Sequence, residues 1–111
     1  MEIASGTRLA WRAVGHVEEV PPLGARVVET REGDVAVFRT AGDRLFALFD
    51  RCPHKGGKLS QGIVHGESVT CPLHAWVIGL ADGQAQAPDE GCARRVAVRV
   101  EDGQILLGLP A

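Results

Sequence analysis

The chain has 111 residues, 45% of them apolar and 23% charged, and its 12 basic against 14 acidic side chains leave a formal charge of −2. That length is one ordinary domain, so a two-domain enzyme is excluded, and the composition fits neither a disordered tail nor a membrane protein. No basic block could neutralise a row of phosphates, so no nucleic-acid partner is expected.

The opening residues Met1-Glu2-Ile3-Ala4-Ser5-Gly6 lack a basic start followed by an apolar run. No segment approaches the roughly 18 apolar residues of a spanning helix, so no membrane association and a cytoplasmic location are expected. Three cysteines cannot all pair with one another. In a reducing compartment they point to metal binding, catalysis or plain burial.

Fourteen glycines and six prolines leave little room for long helices, so short strands are expected. Val27 to Thr30, Val35 to Thr40 and Leu45 to Phe49 are rich in branched and aromatic residues, and turn-forming breaks separate them. They predict a meander. Residues 50–92 differ in character, holding all three cysteines and three of the four histidines. Near the carboxyl end Val96, Val98 and Val100 alternate with Ala97 and Arg99, and Glu101-Asp102-Gly103 turns the chain into Ile105-Leu106-Leu107, which predicts an antiparallel hairpin. The expected architecture is all-β: residues 1–111 as a single domain, residues 1–49 and 93–111 as a scaffold able to stand alone, and residues 50–92 as an inserted metal-binding subdomain with few large side chains.

Within that insert Cys52-Pro53-His54 is followed, after sixteen residues, by Cys71-Pro72-Leu73-His74. Two loops each offer one thiolate and one imidazole. A lone cysteine or histidine is more often a buried thiol or a surface ring, but a matched pair of such loops is not. Two occupants suit Cys52, His54, Cys71 and His74: a tetrahedral zinc ion, or a two-iron two-sulfur cluster with two cysteines on one iron and two histidines on the other. Zinc fingers pair like ligands with like at short spacing, whereas each loop here mixes the two types.

This arrangement resembles the Rieske cluster motif, which implies a Rieske-like antiparallel sandwich or barrel, a [2Fe-2S] cofactor, and an electron relay without a substrate site. Two ferric ions, two sulfides and two thiolates sum to zero charge, and a neutral cluster accepts an electron more easily than the −2 cluster of four thiolates. The resemblance also implies histidine ligands at the surface with the cysteines deeper. High-potential members carry a disulfide between the loops and Ser and Tyr hydroxyls near the cluster; this chain has Gly57, Leu73, Trp76 and Ile78 at those positions. The low end of the Rieske potential range is therefore expected.

The longer stretch from Cys52 through His54-Lys55-Gly56-Gly57-Lys58-Leu59-Ser60-Gln61 to Gly62, with Val64-His65-Gly66, Val69 to Ile78, Gly83-Gln84-Ala85 and Pro88 to Cys92, is similar to the small subunit of assimilatory NAD(P)H-dependent nitrite reductase. That resemblance implies a large partner subunit holding flavin and sirohaem, on which nitrite is reduced to ammonium in nitrate assimilation. A Rieske ferredoxin of an aromatic-ring dioxygenase is the alternative, and a redox-silent zinc or interaction module is another.

Other residues have plainer readings. Cys92 is expected to be a buried structural thiol, His65 a turn histidine, and Trp76 a packing residue. His16 carries no signal. Lys55 and Lys58 flank His54 either as a docking collar or as an ordinary solvated loop. Pro53 and Pro72 stiffen the ligand loops, and Pro88 is expected to close a third loop over the cluster.

Overall fold

In the computed structural model, which describes residues 9–53, 57–72, 75–87 and 89–110, the branched and aromatic runs form strands. These are β1 (Leu9–His16), β2 (Gly24–Thr30), β3 (Gly33–Arg39), β4 (Leu45–Phe49), β5 (Ile63–His65), β6 (Ser68–Thr70), β7 (Val77–Gly79), β8 (Arg95–Glu101) and β9 (Gln104–Pro110). Two 3-10 turns, Val17–Glu19 and Leu59–Gln61, supply the helical content of the described residues. The fold is all-β, as expected.

Six strands make one antiparallel sheet in the order β1-β9-β8-β4-β3-β2, and β5-β6-β7 make a second. Strands β2, β3 and β4 are the expected meander, each paired with the next. The β8–β9 hairpin turns through Asp102 (φ 51°) and Gly103 (φ 79°). Two successive left-handed residues make a two-residue turn whose twist matches that of the flanking strands, and glycine adopts this conformation without a Cβ penalty.

Period-two alternation sends successive side chains of a strand to opposite faces. In β3, Val35 and Val37 enter one core while Ala36 and Phe38 enter another. In β4, Ala47 joins the first core and Leu48 the second. Strands β3 and β4 are therefore a wall between two cores. The first lies against β8 and β9, with Val96, Ile105 and Leu107. The second is shared with the middle of the chain, through Leu59, Val64, Val69, Ile78 and Leu80.

Phe38 and Leu48 are fully buried, in a core to which the middle stretch contributes Leu59, Val64, Val69, Ile78 and Leu80 alongside Ala25, Phe46 and Ala93 of the scaffold. Exposing either would forfeit about 1.5–3 kcal/mol of burial. The scaffold and the middle thus stabilise one another.

Strands β1 and β2 are the edges of the large sheet, and a side chain spans them. Arg26 of β2 donates from Nη1 to the carbonyl of Val14 in β1 at 2.8 Å and pairs with Glu19 at 2.8 Å. Val14 sits in a bulge, between the Ala13–Leu106 and Gly15–Ile105 pairs, and packs against the first core.

Candidate metal centre

Strand β4 delivers the chain into a first loop, and β6 and β7 carry a second. The Cys52 N–H donates to the Gly57 carbonyl at 2.7 Å, and the Cys71 N–H donates to the Trp76 carbonyl at 2.7 Å. Each loop is thus closed by the same bond, from its cysteine to the residue five positions on. Both cysteines are 1% exposed and belong to the second core. The structure therefore brings Cys52 and Cys71 into one apolar cluster, at equivalent points of two matched loops. His54 and His74 lie outside the described residues, as do Lys55 and Leu73. Among the described residues, no three His, Cys, Asp or Glu side chains converge.

The residues present fit a metal–sulfur centre. One buried thiol is an ordinary small hydrophobe, but two at matched positions, each followed by a proline that fixes the backbone, form a donor pair shielded from water. Thiolate ligands in such surroundings hold soft or borderline metal.

A third loop touches both. The Asp89 N–H donates to the Gln86 carbonyl at 3.0 Å, and the Ala85 N–H to the Gly91 carbonyl at 2.9 Å. Gly91 has φ 145°, and a Cβ placed there would lie 2.8 Å from the Pro53 Cβ and 3.6 Å from the Trp76 Cζ3. Only glycine admits this approach. Sequence reasoning singled out Pro88, which lies outside the described residues, and missed Gly91; the signal available was a glycine closing a Pro-Asp-Glu turn.

Cys92 is exposed, contrary to expectation. It pairs with Gln84 in an isolated bridge, and alternation then turns Ala93 inward, at 2% exposure, and Cys92 outward. Its sulfur is 3.5 Å from the Ala93 carbonyl, in a groove shared with Arg51, Pro53 and Arg94. His65 lies in β5, just before the Gly66-Glu67 turn, with Nε2 2.6 Å from the Thr70 hydroxyl. Trp76 is half-buried and packs on the second core, where Ile78 is fully buried. Lys58 is exposed, in a groove with Arg51 but also with Glu32 and Asp34. His16 accepts through Nδ1 from the Glu18 N–H at 3.1 Å, a local cap.

No helix of the described residues is long and apolar enough to cross a membrane. The model of the Rieske [2Fe-2S] domain matches residues 10–104. The chain belongs to the Rieske family. The cofactor of this Rieske protein is accordingly a Rieske-type [2Fe-2S] cluster, and its role is electron transfer.

The Rieske chain is 33% identical over 104 residues to the anthranilate 1,2-dioxygenase ferredoxin subunit of Burkholderia cepacia, covering 93% of this chain and 95% of that one. The solved ferredoxin of carbazole 1,9a-dioxygenase from Nocardioides aromaticivorans IC177 superposes with a TM-score of 0.79 at 25% identity, over 87% of this chain and 95% of that one. A solved protein assigned as the small subunit of an NADPH nitrite reductase gives a TM-score of 0.77 at 26% identity, over 89% of this chain and 98% of that one. Of longer curated monooxygenases the chain spans about a quarter, 24% in two cases.

Proposed function

We propose that this Rieske chain is the ferredoxin component of an oxygenase system, carrying single electrons to an oxygenase through a cluster held by Cys52, His54, Cys71 and His74. The observation that supports this reading is the match to an oxygenase ferredoxin subunit along 95% of that protein's length. When bound, the cluster supplies a site for one reversibly held electron.

The chain's own residues provide the rest. Cys52 and Cys71 present thiolates from water-excluded positions, Pro53 and Pro72 limit loop reorganisation, and Ile78 and Leu59 keep the sulfur side dry. His54 and His74 complete the proposed ligand set. Residues 50–92 act as the cluster-binding subdomain, on a scaffold of residues 1–49 and 93–111.

A second reading is the small subunit of an NAD(P)H nitrite reductase, an oxidoreductase subunit working with a large flavin and sirohaem partner. The Cys52 to Gly62 stretch favours it, as does the likeness to an assigned nitrite reductase small subunit.

Anaerobic purification followed by visible absorption, iron and labile-sulfide analysis tests the cluster. Two irons and two sulfides per chain are expected, and a colourless zinc protein would overturn the reading. Reduced protein is then mixed with a ring-hydroxylating oxygenase component or with a large nitrite reductase subunit. Turnover of the first supports the ferredoxin, whereas stable complex formation with the second supports the alternative.

A further inference from the structure

The two ligand loops share an inner rung but differ just outside it. In the second loop, Thr70 and Val77 pair as neighbours in the β6–β7 ladder, directly outside the bond from Cys71 to Trp76. The first loop has the bond from Cys52 to Gly57, but its arms are the end of β4 and the 3-10 turn Leu59–Gln61, which share no ladder. A side chain occupies that place. The Asp50 carboxylate accepts from the Ser60 N–H at 2.7 Å through Oδ1 and from the Ser60 hydroxyl at 2.7 Å through Oδ2. Asp50 is itself anchored, its N–H donating to the Asp34 carbonyl at 2.9 Å, and the neighbouring Leu59 is fully buried.

We propose that Asp50 is a positioning residue for the cluster: its two-oxygen clamp on Ser60 replaces the missing ladder and holds the first loop in the shape that Cys52 and His54 need to retain metal. This rests on the ligand assignment above. Charge-assisted bonds to a carboxylate are stronger than neutral ones and fix geometry at both oxygens, which suits a loop that must keep its shape around a ligand pair. A plain turn cap would serve chain stability alone.

The test compares Asp50→Ala, Asp50→Asn and Ser60→Ala with the unaltered protein, all loaded anaerobically. It reads iron release to excess chelator by visible absorption, beside the thermal midpoint of each apo-protein. Asp50→Ala is expected to release iron about tenfold faster, and Ser60→Ala, which keeps the backbone bond, a few-fold faster. Asp50→Asn, which keeps the shape without the charge, falls between Asp50→Ala and the unaltered chain. The apo midpoint of Ser60→Ala stays unchanged. Release at the unaltered rate in both alanine variants overturns the proposal, as does release that merely tracks a falling apo midpoint. If Asp50→Ala does not fold, Ser60→Ala decides on the same criterion. An unaltered protein that takes up no iron defeats the ligand assignment and this inference together, whereas normal loading with indifferent variants defeats this inference alone.

Discussion

Gly91 approaches Pro53 so closely that a methyl group on Gly91 would lie 2.8 Å from the Pro53 Cβ, inside any real carbon contact. Its φ of 145° is also one that residues with a Cβ rarely adopt. Gly91→Ala is therefore expected to lower stability by about 1–3 kcal/mol and to speed iron loss, because the third loop must retreat from Pro53 of the first ligand loop. Urea denaturation of the holo-protein and chelator kinetics check this.

The shared wall makes the second core a determinant of both stability and metal retention. Leu48→Ala removes a fully buried side chain and is expected to cost about 2–5 kcal/mol while accelerating iron release. Ile105→Val, in the core on the other face, is expected to cost only about 0.5–1.5 kcal/mol and to leave release unchanged. Equilibrium unfolding with parallel chelator kinetics separates the two.

Cys92 is exposed while Cys52 and Cys71 are buried. Brief alkylation of the native holo-protein should label Cys92 alone, as read by peptide mass spectrometry, and Cys92→Ser should leave the visible spectrum unchanged.

Ile78 and Trp76 carry no hydroxyl where high-potential Rieske proteins place theirs, and Ile78 is fully buried. Hydrogen bonds to cluster sulfur favour the reduced, more negative form. A redox titration is expected to place the midpoint toward the low end of the roughly −150 to +300 mV Rieske range; a strongly positive value contradicts it.

What sequence reasoning reaches here is local. The alternation in Val35 to Arg39 and Leu45 to Phe49, and the turn at Asp102-Gly103, are written in neighbouring residues, and those strands and that hairpin form. The two cysteines are legible from their spacing, since a repeated Cys-Pro pattern needs no tertiary knowledge. The remainder depends on encounters between distant segments. Which cover Phe38 receives is decided by residues far away in the chain, and Cys92 faces outward through an isolated bridge to Gln84 that no alternation of apolar residues marks. The Asp50–Ser60 clamp spans ten residues and two element types, so no periodicity announces it.

The pairing of β1 with β9 joins Leu9–His16 to Gln104–Pro110. During synthesis the first strand must wait for residues 104–110 before its ladder can form, so the large sheet is completed only after the intervening strands, by the slow closure of a very long loop. Both ligand loops leave the ribosome before that closure. The metal-binding stretch is thus synthesised while the scaffold still lacks its last ladder, a stage at which unpaired strand edges favour aggregation.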